Sequence, residues 1–498
     1  MTRLRHSSHA VLGTLLLAAT ATLPARAAAD STDAPRNLPK LAAEVCAGCH
    51  GPTLEGGAGP SLLDDTWKYG GDDAQIAASI RLGHPAGGMP PFGGSLTEKD
   101  IRGLVVYLRE VAGKAKLRQT PPPRPNVDKP TASRLHTYRI ETVVAQLKEP
   151  WSLAFLPDGR SLVTEKRGTL SIISSIASGG GGTNGAPVTD GVTTTLITGT
   201  PLVDTAGQGG LFDVVAHPDF ARNGWIYLAF ADPQKSAEGR DVAMTAVMRG
   251  RIRDNVWVDQ EVIFRASLET YRNAGGVHFG GRLAFDRAGF FFFSIGERGN
   301  QADAQNLALP NGKIHRLHDD GRVPTDNPFV AKPGALRSIW SYGHRNPQGL
   351  RFDTATGLLW AHEHGPRGGD ELNRIQPGRN YGWPLATYGI NYNGMPITDV
   401  TTRADIEPPA TYWIPSIAPC GLSIYTGERF PKWKNNLFVT SLAAEELRRL
   451  KLKDGKVVEQ EIIFKGLGRL RDVVQGPDGL LYVLLPDRVA RLVPAATP

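Results

Sequence analysis

Apolar and polar positions follow one recurring phrase along most of this chain. A short apolar run leads into a turn marked by Gly or Asp-Gly, and a second apolar run follows. The copies read SLAFLPDGRSLVTE, LFDVVAHPDFARNGWIYLAF, RLAFDRAGFFFFSIGE, GLRFDTATGLLWAHE, GLSIYTGERFPKWKNNLFVTS and LRDVVQGPDGLLYVLL. Each reads as a β-hairpin. Hairpins recurring at starts roughly 50 to 70 residues apart are the mark of a β-propeller, one hairpin per blade. Six copies predict six blades over residues 137–498; an irregular β-sandwich is the competing architecture.

The first part of the chain has a different rhythm. Ile101, Leu104, Val105 and Leu108 recur at helical spacing, with Ser95 and Thr97 as candidate caps. This predicts a small all-α domain over 36–113. Between the two lies KAKLRQTPPPRPNVDKPTAS, a polar run with five prolines, expected to be a semi-extended tether over 114–136. SGGGGTNGAP, residues 178–187, lacks a Walker lysine and reads as a loop insertion.

Composition narrows the class. A chain of 498 residues is too long for one core, and 57 glycines with 37 prolines fit a turn-rich β architecture. Residues 1–28 have a basic start, a short apolar run and an A-x-A site, the pattern of a secretory signal peptide; an uncleaved anchor is the alternative. No other stretch approaches spanning length, so stable membrane insertion is not expected. The segment carries Arg3, Arg5 and Arg26 and no acids, so the formal charge of +7 less three leaves +4. The remaining basic residues are scattered, which argues against nucleic acid. A periplasmic or secreted location follows. Three cysteines are too few for a disulfide framework.

Two of those cysteines lie in VCAGCHGP as Cys46 and Cys49, followed by His50. C-x-x-C-H attaches haem c through two thioethers, and its histidine becomes an axial iron ligand. A redox dithiol or half a zinc site would leave the histidine unexplained. Met89, in the Gly/Pro-rich GHPAGGMPPF, is the candidate for the opposite haem face. Met/His ligation suits electron transfer. Residues 40–113 resemble a class I cytochrome c domain. Trp67 and Tyr69 could pack on the haem or in the core.

Propellers bind ligands where loops leave the inner strands. At equivalent places in the repeats stand Gln208 in GQGGLF, His278 in GGVHFGGRL and Glu297 in SIGERG. GHRNPQG, HEHGPRGGDE, APCGL and GRLRD follow. His362 and His364 suggest a transition metal, but no third ligand has a diagnostic spacing. Cys420 reads as a small buried residue.

Residues 145–495 resemble the soluble quinoprotein glucose and aldose sugar dehydrogenases, six-bladed propellers that bind pyrroloquinoline quinone (PQQ) through calcium. GHRNPQGL, EHGPRGGDE and NYGWP carry the likeness. It implies that His278 is the base taking the proton of the sugar C1 hydroxyl while hydride passes to PQQ, that Glu297 orients it, and that Arg345 stabilises charge on the quinone. It further implies quinone contacts from Asn346, Ser416, Arg469 and Arg471. Calcium is expected on the backbone carbonyls of Gly365 and Pro366, and Gln208, His364 and Asp370 are expected at the substrate. Arg469 and Arg471, two apart, are expected to share one face of a strand.

Three positions depart from that pattern. Ala443 stands where the family has a PQQ-binding lysine, with Arg448 a possible substitute. Val277 replaces an acid before the base, and Ile414 replaces an aromatic over the quinone. The implied activity is oxidation of an aldose sugar to the lactone, with electrons passing to the haem and on to a downstream periplasmic acceptor. Two rivals are a non-catalytic sugar- or protein-binding propeller attached to an electron-transfer cytochrome, and a lactone hydrolase, which would need metal-ligating carboxylates.

Overall fold

His278 and Arg345 stand just before two inner strands and Glu297 just after the strand paired with one of them, so the predicted chemistry sits at the end of the ring where the inner strands begin. The computed structural model describes residues 36–127, 129–174 and 192–496. The predicted signal segment and the glycine-rich loop lie outside the described residues. Six antiparallel sheets form the blades. Their inner strands are Pro150–Phe155, Leu211–Ala216, Gly280–Phe285, Pro347–Phe352, Pro419–Ile424 and Asp472–Gln475, and each falls on a repeated phrase.

The ring closes by joining chain ends. Strand Thr137–Val144 pairs with the last strand, Arg488–Pro494, and completes the sixth sheet. Tyr138, fully buried, donates its hydroxyl to the Ile463 carbonyl, 2.8 Å away, in the fifth blade. Tyr138→Phe leaves that carbonyl without its donor and should cost about 1–2 kcal/mol. The check is a lower urea midpoint at unchanged slope; an unmoved midpoint would contradict this role for the closure.

The channel is plugged at mid-depth by Arg282. Its guanidinium lies 3.2 Å from Asp472 and 3.5 Å from Asp213, donates from Nε to the Gln348 carbonyl at 2.8 Å, and stacks over Trp151. The guanidinium also donates to the Cys420 carbonyl at 3.3 Å, so with its own strand five of the six inner strands are tied to one cation, and the first adds the ring it covers. The space above the plug is the mouth.

The N-terminal domain is helical: α1 (Leu38–Val45), α2 (Ala47–His50), α3 (Asp73–Leu82) and α4 (Glu98–Gln119). Of the two cap candidates, Thr97 is used: its hydroxyl accepts from Asp100 N, and the Asp100 carboxylate returns the bond. Helix α4 does not stop at 113 as expected. Ala115, Lys116, Leu117 and Arg118 are strong helix formers, Ala115 is buried, and the run ends only at Thr120 before the prolines.

The expected tether is also corrected. Pro123 accepts from Lys465 N at 2.9 Å, and Thr131–Ala132 pairs with the closing strand. Its backbone groups found partners on the blade edge, so the segment is bound down. From Arg36 onward the chain forms one compact unit. Within it, Val106 of α4 packs with Ile390 and Ile414 of the fourth blade in one apolar cluster. Among the described residues no helix is long and apolar enough to cross a membrane.

Candidate active site

His278 ends the loop that enters the third inner strand. Its backbone is left-handed, with φ 57°, a region histidine enters more readily than most residues. The carbonyl thereby turns toward Gly296, where a Cβ would stand only 2.2 Å from it; only glycine fits there. Gln208 from the second blade accepts the His278 N–H at 2.8 Å. Arg298 grips the preceding residue, bonding the Val277, Ala243 and Asn273 carbonyls and lying over the Phe279 ring.

The imidazole is fixed by its other neighbour. His278 Nδ1 lies 2.6 Å from Glu297 Oε1. A carboxylate only accepts, so Nδ1 carries the proton and Nε2 is left with its lone pair. Glu297 is buried, and its second oxygen, Oε2, has no partner among the described residues. Burial pushes the His278 pKa below its ordinary value, and Arg345 pushes the same way against the pull of Glu297. The ring is therefore neutral at neutral pH, the form a base requires.

Arg345 reaches the mouth from the fourth blade. Its carbonyl accepts Glu297 N at 2.9 Å, coupling it to the base pair. Its own N–H donates to Glu363 Oε2 at 2.5 Å, and Glu363 Oε1 accepts from His344 Nδ1 at 2.8 Å. The Arg345 guanidinium donates to the His364 and Gly365 carbonyls at 3.1 and 2.8 Å, while its Nε has no partner among the described residues. Asn346, buried, accepts Gly280 N at 3.1 Å.

A second site lies in the helical domain. A cavity there is lined by Cys46, Cys49, His50, Trp67, Tyr69 and Met89. His50 Nδ1 is 2.7 Å from the Pro60 carbonyl; a carbonyl only accepts, so Nδ1 is protonated and Nε2 is free for a metal. Cys46 and Cys49 are unpaired thiols.

Residues 147–494 match the family described as Glucose / Sorbosone dehydrogenase, and residues 33–108 match cytochrome c oxidase, cbb3-type, subunit III. The chain belongs to the glucose/sorbosone dehydrogenase family. An aldose sugar dehydrogenase of Escherichia coli is 40% identical over 362 residues, covering 72% of this chain and 92% of that protein. A crystal structure of a glucose dehydrogenase superposes with TM-score 0.65 at 42% identity, covering 72% of this chain and 99% of that one. The PQQ-bound aldose sugar dehydrogenase of Streptomyces coelicolor gives TM-score 0.56 at 26% identity, covering 73% and 99%. This sugar dehydrogenase is thus an oxidoreductase with a PQQ-type propeller, preceded by a cytochrome c domain.

Within that family frame, several expected residues take other places. Asp370 is fully buried, and its carboxylate accepts from Gly365 N, Ser416 Oγ, Ile417 N and Ala418 N at 2.6–2.8 Å. It cannot line a substrate site as expected; it ties the 364–370 turn to the 416–418 loop. Ser416 is the hydroxyl of that knot. Burial pushes the Asp370 pKa up to about 6 against those donors, which keeps it a carboxylate at neutral pH. His364 donates Nε2 to the Pro419 carbonyl at 2.8 Å.

Arg469 and Arg471 lie in the loop before the last inner strand rather than on a strand. Arg469 is exposed, and Arg471 stands 5.7 Å from the Trp151 ring. Arg448 is no substitute for the lysine: Glu446 and Gln460 hold its guanidinium on the blade. His362 is buried beside Gly349 with Nε2 on the Gly421 carbonyl. No cluster of His, Cys, Asp or Glu among the described residues suits a metal.

The site also uses residues that sequence reasoning passed over. Glu363 and Arg298 hold the two catalytic candidates from behind, and Trp383 lies 5.3 Å from the Arg345 guanidinium. Glu363 and Trp383 were visible in the EHGP and NYGWP motifs, but spacing alone carried no signal of what they touch.

Proposed function

We propose that this chain oxidises an aldose at C1 to the lactone, with PQQ as hydride acceptor and calcium as its anchor, and passes the electrons to a haem c on Cys46 and Cys49. The observation that carries the reading is the His278–Glu297 pair, with Nε2 free and neutral at the channel mouth, beside Arg345. His278 Nε2 takes the proton of the C1 hydroxyl. Glu297 keeps the ring oriented and stabilises the imidazolium that results. Arg345, held by Glu363, presents positive charge where negative charge develops. PQQ, when bound, supplies the two-electron acceptor for the hydride.

The residues fit these groups. The Gly365 carbonyl already faces a cation, the Arg345 guanidinium, and the Pro366 carbonyl takes no hydrogen bond among the described residues. Uncharged carbonyl oxygens of this kind suit a hard cation such as calcium. Arg345, Arg469 and Arg471 are the basic groups toward a tricarboxylate, and Asn346 is the neutral contact, the Ser416 hydroxyl proton being committed to Asp370. Gln208, beside the base, faces the sugar. In the cytochrome domain, the freed Nε2 of His50 and the sulfur of Met89 would hold the haem iron, which would supply a one-electron acceptor there. The N-terminal signal pattern supports export, which haem c attachment and a periplasmic acceptor both require.

The test is to load the haem-containing protein with PQQ and calcium and follow the haem spectrum with a panel of aldoses. Reduction by at least one sugar, dependent on both additions, is expected. A haem that stays oxidised with every sugar, together with no dye-linked sugar oxidation, would sink the reading.

A further inference from the structure

The seam between the cytochrome domain and the propeller lies on the turn that carries the Gly365 and Pro366 carbonyls. Arg367, the next residue, donates Nε to Glu110 of α4 at 2.9 Å. Its backbone pairs with Ile390 in both directions, at 2.9 and 3.1 Å. Arg102 of α4 donates to the Thr387 carbonyl. Gly368 fits between Ile414 and Val106, with both side chains within 3.5 Å of where a Cβ would be. The haem domain is therefore seated beside the active-site turn by charge, backbone and apolar contact together.

One chain of contacts crosses this seam from turn to haem cavity. Gly369 lies against the backbone of Tyr388, whose carbonyl carbon is 2.8 Å from the glycine's would-be Cβ. The Tyr388 ring stacks on Tyr412, with centroids 3.9 Å apart and planes 13° from parallel. Tyr412 donates its hydroxyl to Asp73 Oδ2 of the cytochrome domain at 3.3 Å, and Asp73 Oδ1 accepts from Arg109 Nε at 2.8 Å. Arg109 lies over Trp67, and Trp67 lines the cavity that holds Cys46, His50 and Met89. The links are a backbone contact, a ring stack, two hydrogen bonds and a guanidinium 5.8 Å from the centre of the Trp67 ring. Burial pushes both tyrosine hydroxyls up to about 12, so the stack is neutral.

We propose that the stacked pair Tyr388–Tyr412 is the electron crossing between the sugar site and the haem, with Asp73, Arg109 and Trp67 completing the path. The inference rests on the functional reading above. One sugar gives up two electrons and two protons; the electrons cross singly, each reducing one ferric haem iron to ferrous, and the protons leave to water. A one-electron acceptor outside the protein reoxidises the haem between crossings. Because the haem domain is docked, the crossing needs no search by a swinging tether, and its rate is set by contact across the seam.

The experiment uses the full chain loaded with haem, PQQ and calcium. Tyr412→Leu, Tyr388→Leu and Tyr412→Phe are compared with Tyr392→Leu, an exposed tyrosine on the same rim. Stopped-flow mixing with sugar reads haem reduction, and a soluble dye that takes electrons at the propeller reads sugar oxidation without the haem. In the PQQ-free protein, small-angle X-ray scattering reads docking, and a redox titration reads the haem potential. The leucine variants on the stack are expected to lose the fast phase of haem reduction, while dye-linked turnover, docking and potential stay at wild-type values. Tyr412→Phe keeps the ring and most of the fast phase. Should Tyr412→Leu undock the domain, Tyr388→Leu, whose ring lies on the propeller side, decides by the same readout. Haem reduction at the wild-type rate in docked leucine variants overturns the proposal. Absence of dye-linked oxidation in the wild-type protein instead removes the functional reading beneath it.

Discussion

His278→Ala should lower sugar-dependent turnover by about 10²–10⁴-fold, the range a positioned general base contributes. The loss should appear in kcat with a soluble dye acceptor, while PQQ binding is retained, because the proposed quinone contacts do not include the imidazole. Its partner tests the geometry separately. Glu297→Gln keeps an acceptor for Nδ1–H but removes the charge, so turnover falls less than with His278→Ala. The sign of the pH dependence follows from the groups around the ring. Burial and Arg345 hold the His278 pKa below its ordinary value and Glu297 raises it. The base works only when neutral, so kcat/KM rises with pH through that pKa and is level by neutrality. Losing Glu297 removes a charge that raised the pKa, so the rising limb moves to lower pH in the variant. A limb that stays in place, or full turnover in His278→Ala, would show that another group takes the proton.

The repeated hairpin phrase made the propeller legible because each inner hairpin buries the same alternating face, and that burial is written locally in apolar spacing. The site was legible in part for a related reason. Residues at the same place in each phrase must converge on one channel, which is how His278, Glu297 and Arg345 could be grouped before any contact was known. What spacing could not show is which neighbour each polar group satisfies. Asp370 read as a site residue through the family likeness carried by EHGPRGGDE, yet four donors from two loops converge on it. Arg448 read as a spare cation, but its blade supplies Glu446 and Gln460. The tether read as free because prolines lack N–H donors and favour extended chain. The Pro123 carbonyl found the edge of the fifth blade and Thr131–Ala132 the edge of the sixth sheet, long-range partners that no local pattern encodes. The docking of α4 was hidden for the same reason, since Ile414 and Val106 are far apart in sequence.

Removing both thioether sites, with Cys46→Ala and Cys49→Ala together, should abolish reduction of any acceptor that depends on the haem while leaving dye-linked sugar oxidation near the wild-type rate. Cys46 is the N-cap residue of the short helix α2 and Cys49 lies within it, and its last residue, His50, is oriented by Pro60 so that Nε2 faces the cavity. Burial pushes the Cys46 thiol up to about 11, which makes it a poor thiolate and argues against a redox dithiol. Haem attachment needs position more than acidity, and position is what the turn supplies. The check is haem staining of the denatured polypeptide: wild type retains the stain, and the double variant loses it. Met89→Leu separates attachment from ligation. It should keep the stain but lower the haem potential, because a Met/His pair raises it. If the double variant still passed electrons from sugar to a haem-dependent acceptor, the cavity would not be the exit from the propeller. In that event the docked domain would serve only to hold the 364–370 turn.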